Sequence, residues 1–169
     1  MNPLNQALDW YNILKSNHKI VVNLLEKDPS SLPPDSPYLT EPLSSVKEQL
    51  KRALEEMEDL TVVSLFFLFE KIILSHLEET ANYLKAQNME PFLNQVVKYG
   101  LKTPDRWKIE EILDLYKVNI DPNLVGQVKQ IFKYRNWIAH GRRGAKPLSI
   151  DHRLTYFRLT LFLEQARLI

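Results

Sequence analysis

The stretch from position 129 to 143 places Lys129, Lys133, Arg135, Asn136, His140, Arg142 and Arg143 within four helical turns. An arginine keeps its charge at any accessible pH and presents five N–H donors, so it is suited to holding an anion. An imidazole is the side chain that exchanges protons near neutrality without special tuning. An asparagine amide between them can orient either partner. Such a set can grip an anion, a phosphate above all, and move a proton on or off it.

The helix that must position these residues has clear ends. Asp121 is an N-cap candidate, Pro122 suits the first helical position, and Gly141 can close a helix that runs to about His140. At 3.6 residues per turn, Leu124, Val125, Val128, Ile131, Phe132, Ile138 and Ala139 share one arc, which is expected to face the core. Arg135 falls in the middle of that arc. Lys129, Lys133, Asn136 and His140 recur at intervals of four, three and four as a polar stripe beside it. Arg135 and His140 stand about 140° apart around the axis and about 7.5 Å along it, within reach of one phosphate for a long side chain and a terminal one.

A half-buried guanidinium demands a partner. In LFFLFEKIILSHL, Glu70 is aligned with Val63, Phe66, Phe67, Ile73, Leu74 and Leu77, again one charge on an apolar arc. Two opposite charges stranded on buried stripes are expected to pair. Such a pair is either purely structural or a device by which Glu70 orients Arg135 toward an anion. Tyr134 and Trp137 are expected to point away from the apolar arc. They then serve as a partly exposed surface, a base-stacking platform or a subunit contact, and a contact is the reading preferred here.

The rest of the chain limits these possibilities. Its 169 residues are 44% apolar, enough for one core and one domain spanning 1–169. The absence of cysteine excludes disulfides, iron–sulfur clusters, thiolate zinc sites and cysteine nucleophiles, and leans toward a cytoplasmic location. No secretory signal is read in MNPLNQALDW. No uncharged apolar run reaches the roughly 18 residues that span a bilayer, because LTVVSLFFLF ends at Glu70 and Lys71, so no membrane partner is expected. Between Asp121 and Asp151 there is no acidic residue but six basic ones, Lys129, Lys133, Arg135, Arg142, Arg143 and Lys146. With a net charge of +1, the remainder sums to about −5. The histidines at 18, 76, 140 and 152 show no metal-ligand spacing, and no serine occupies a strand-to-helix elbow, so neither a metal site nor a serine triad is expected.

Glycine is scarce and apolar residues recur at three and four, which predicts an all-α chain. Helices are expected over about Pro3–Leu25, Ser44–Met57, Leu60–Ala86, Glu90–Tyr99, Ile109–Tyr116, Asp121–His140 and Ile150–Leu168. The segment DPSSLPPDSPYLTEP (28–42) is a loop, and RRGAKPLS is an exit loop. The expected architecture is an antiparallel bundle of four longer helices with short additional ones.

RNWIAH (135–140) resembles the Arg-x(4–6)-His signature of the HEPN superfamily, with Asn directly after the Arg. The all-α pattern, the motif near the end of a late helix, the Gly and basic loop behind it and the single further helix are similar too. The resemblance implies a metal-independent, cofactor-free endoribonuclease, often a toxin or defence component held by a protein antitoxin, and a homodimer. In that reading the 2′-OH of RNA attacks the adjacent phosphorus and leaves a 2′,3′-cyclic phosphate and a 5′-OH. His140 transfers the proton, Arg135 holds the charge of the phosphorane, and Asn136 orients the phosphate or the imidazole. Glu70 orients Arg135. Lys129, Lys133, Arg142 and Arg143 guide the RNA backbone. The alternative is a HEPN-like module that binds nucleotide, RNA or protein without turnover.

Overall fold

The computed structural model describes residues 2–87, 90–93 and 108–169. Among them every regular element is helical: α1 (Asn5–Lys27), α2 (Leu43–Ala86), α3 (Ile109–Leu115), α4 (Pro122–Ala139) and α5 (His152–Gln165), with single 3₁₀ turns at Pro29–Ser31, Pro37–Leu39 and Tyr116–Val118. No strand occurs among the described residues. The helix expected near Glu90–Tyr99 falls for the most part outside them.

One expectation is corrected outright. The helices read as 44–57 and 60–86 are one continuous helix, α2, of 44 residues and roughly 66 Å at 1.5 Å per residue. Nothing between Met57 and Leu60 breaks the ladder, since neither proline nor glycine stands there. Asp59, which resembles a helix start, instead turns its carboxylate to Tyr134 and Arg142. The hydroxyl of Thr61 bonds back to the Met57 carbonyl at 2.7 Å within the same helix.

α2 is the spine. It packs against α1, α4 and α5, and α4 also packs against α5. Leu65, Phe66, Phe69 and Ile73 of α2 meet Val125, Val128 and Ile131 of α4 and Leu159, Phe162 and Leu163 of α5 in a single core. Each such side chain contributes about 1.5–3 kcal/mol by leaving water. A smaller cluster of Leu25, Leu32, Val46 and Leu50 ties the end of α1 and the Pro-rich loop to the start of α2. α2 also contains an 18-residue window of mean hydropathy 1.8, long and apolar enough to cross a bilayer, although its inner stripe is the protein's own core.

The caps of α4 and α5 set the geometry of the candidate site. Asp121 accepts the Asn123 N–H at 2.9 Å, with Pro122 at the first helical position, as expected. At the other end, Gly141 adopts φ 72°, its N–H bonds to the Ile138 carbonyl, and the Arg142 N–H bonds to the Trp137 carbonyl at 2.8 Å. That pair is a Schellman closure, which sharply reverses the chain and sends Arg142 back toward α2. Asp151 caps α5 by accepting the N–H groups of Arg153 and Leu154 at 2.7 and 3.1 Å.

Candidate functional site

Arg135 and Glu70 meet. The guanidinium Nη2 donates to Glu70 Oε2 at 3.3 Å, and Nη1 donates to the Asn136 side-chain oxygen at 2.8 Å. Both ionic side chains keep 24% of their surface exposed, so the pair sits at the flank of the core rather than inside it. The guanidinium also lies 5.9 Å from the Phe66 ring, and its Nε is buried without a hydrogen-bond partner in the protein. Phe66 and the two acceptors therefore fix the fork from three sides, while the side chain as a whole keeps about a quarter of its surface exposed.

The arcs read from the sequence are each rotated slightly from the real ones. On α2 the buried stripe is Val62, Leu65, Phe66, Phe69 and Ile73, while Phe67 and Leu74 are exposed. On α4 it is Leu124, Val125, Val128, Ile131, Tyr134 and Ile138, with Ala139 exposed. Arg135 and Glu70 stand at the edge of these stripes, which is why both are half-buried. Arg135 lines a cleft of about 490 Å³ between α1 and α2 whose walls include the exposed aromatics Trp10 and Phe67 and the polar Gln6 and Ser64. Sequence reasoning missed Trp10 and Phe67. The only available signal was that VVSLFFLF holds more apolar residues than one core stripe can take.

The remaining predicted residues separate into free and engaged groups. His140 is the C-cap of α4 and exposed, and its side chain has no hydrogen-bond or ion-pair partner among the described residues. It does not line the Arg135 cleft. Lys133 and Arg143 are exposed and form no ion pair among the described residues. Lys129, expected to guide RNA, is instead held by Asp114 at 2.7 Å. Arg142, assigned the same role, is held by Asp59 at 2.8 Å and by Glu56. Surface pairs of this kind are weak, so these two lysine and arginine groups are damped as phosphate guides rather than removed.

Tyr134 corrects the expectation that it faces away from the core. It is only 3% exposed, its hydroxyl donates to Asp59 at 2.6 Å, and burial, aided by that carboxylate, pushes its pKa up. Trp137 is partly buried against it with ring centroids 5.9 Å apart, and the Lys146 ammonium lies 5.6 Å from the indole centroid. Tyr134 and Lys146 thus cover part of Trp137 from within the chain. Tyr134, Trp137, Asp59 and Arg142 line a second, polar cavity of about 680 Å³ on the other side of α4 from Arg135.

That cavity reaches His152, which sequence reasoning noted only as lacking metal-ligand spacing. The imidazole is 2% exposed and packs on the Tyr11 ring with centroids 4.1 Å apart. Burial holds its pKa below the ordinary imidazole value, with the nearby carboxylates of Asp151 and Glu58 opposing the shift. Between the folded-state value and about 6.5 the unfolded chain binds more protons, so stability rises with pH there. Stability from this residue is therefore complete above about pH 6.5 and is lost as pH falls through the folded-state value. Urea unfolding at about pH 7.5, 6.5 and 5.5 is expected to show a falling midpoint, and the His152→Asn protein a flatter profile. An unchanged wild-type midpoint would contradict this.

Among the described residues no group of three or more His, Asp or Glu side chains is placed to hold a metal ion. No family model, curated protein or solved structure matches this chain.

Proposed function

We propose that the protein is a metal-independent endoribonuclease of HEPN type, a toxin or defence component acting in the cytoplasm. The observation that carries this reading is the posture of Arg135: a guanidinium braced by Glu70, Asn136 and Phe66 on a side chain that stays partly exposed and lines a cleft. A purely structural ion pair has no need of that exposure. A preorganised cation exposed at one edge is what a phosphorane requires. Cleavage proceeds by attack of the 2′-OH on its own phosphate, with His140 as the proton-transfer group and Lys133 and Arg143 as the free cations that draw in the backbone.

His140 and Arg135 leave the helix in different directions, so the reading needs a homodimer that assembles two copies of each around one phosphate. The exposed Trp10 and Phe67 beside Arg135 are the aromatics available for that contact, in place of the buried Tyr134. An antiparallel four-helix bundle is the matching architecture. The succession of Tyr11–Glu58, His18–Leu50 and Glu26–Lys47 contacts supports it for α1 and α2. A protein antitoxin would cover the same basic edge.

The second reading, a binding module without turnover, is favoured by one observation: among the described residues His140 has no partner that would orient its ring. Incubation with structured and unstructured RNA, each with and without EDTA, separates the two. Cleavage that persists in chelator supports the enzyme. Saturable binding without products supports the module.

A further inference from the structure

The polar cavity between α2, the end of α4 and the start of α5 is not needed by the ribonuclease reading, yet it is the larger of the two spaces beside α4. Five carboxylates line it, those of Glu55, Glu56, Glu58, Asp59 and Asp151. Only three cations do, and each is engaged: Arg142 with Glu56 and Asp59, Arg52 with Glu48, and Lys146 over the Trp137 ring. Glu55 has no hydrogen bond or ion pair among the described residues. The lining is therefore net negative and keeps at least one free anion.

A second observation is independent of charge. His152, buried at 2% exposure, lines the cavity with both ring nitrogens lacking a hydrogen-bond partner among the described residues, and the Trp137 Nε1 lacks one there too. Polar atoms so placed are costly to leave unsatisfied. His152 Nδ1 and Asp151 Oδ2 are 3.6 Å apart, too long for a hydrogen bond but spaced so that one N–H-bearing cation can donate to both. Burial keeps the imidazole neutral near pH 7, which leaves one nitrogen as an acceptor.

We propose that this cavity is a binding site for a small organic cation, an amine or guanidine that donates to Asp151 and His152 and is balanced by Glu55. An anion is disfavoured by the carboxylates, and among the described residues no group of three or more ligating side chains is placed to hold a metal ion.

Calorimetric titration of the full-length chain with 1,4-diaminobutane, and separately with agmatine, tests this without reference to RNA. Saturable one-to-one binding is expected, quenched or shifted by ~0.15 M salt but not abolished. Replacement of His152 threatens the fold, so the test rests on exposed carboxylates. Asp151→Asn retains a good N-cap and Glu55→Gln retains the helix, and each is expected to weaken binding about tenfold. Glu78→Gln, about 35 Å further along α2, is expected to leave it unchanged. Absence of saturable binding for both probes, or equal affinity in wild type, Asp151→Asn and Glu55→Gln, overturns the proposal.

Discussion

Replacing His140 with alanine is expected to lower RNA cleavage by about 10²–10⁴-fold, the usual worth of a positioned proton-transfer group. The fold should not notice. His140 is exposed, its side chain has no partner among the described residues, and the Schellman closure behind it uses only backbone groups and Gly141. A stability change within about 0.5 kcal/mol is therefore expected, as for other surface positions. RNA binding, carried by Lys133, Arg135 and Arg143, should persist in a filter-binding assay. Full cleavage by a folded His140→Ala protein would remove His140 from the mechanism.

Arg135 should behave differently because it serves both packing and site. Arg135→Lys keeps the charge but cannot donate at once to Glu70 and Asn136 from a planar fork, so a folded protein with cleavage reduced by about 10²-fold or more is expected. Arg135→Ala removes the only ion-pair partner of Glu70 among the described residues and should cost stability as well as activity. Because both groups are a quarter exposed, the coupling is set near that of a screened pair, about 1 kcal/mol, rather than that of a fully buried one. Glu70→Gln in the Arg135→Ala background should recover part of the loss. Urea unfolding of the four proteins of this double-mutant cycle measures the coupling, and strictly additive midpoints would mean that the pair contributes nothing.

Much of the scaffold was legible because it depends on local rules. Asp121, Pro122 and Gly141 mark the ends of α4 through capping and backbone conformation alone, and the Arg135–Glu70 pair follows from two charges on two apolar arcs. What escaped depends on which way each arc faces once several helices compete for one core. A rotation of a fraction of a turn exposes Phe67 and Leu74, buries Tyr134 and moves Arg135 to a rim. Long-range pairs were equally hidden: Lys129 with Asp114, and Arg142 with Asp59 and Glu56, join residues that no periodicity links. The expected break between Met57 and Leu60 does not occur, and Asp59 instead answers Tyr134 and Arg142 from mid-helix. The buried, unpartnered nitrogens of His152 have no signature in the sequence at all.

The most direct test of the account uses a DNA oligonucleotide carrying a single ribonucleotide, incubated with the wild-type protein in EDTA and analysed by mass spectrometry. The 2′-OH at that one position is the nucleophile, so one cut is expected, immediately 3′ of the ribonucleotide, with a 2′,3′-cyclic phosphate on one product and a 5′-OH on the other. Cuts at deoxyribonucleotides, products ending in 5′-phosphate and 3′-OH, or cleavage that disappears in chelator would contradict it.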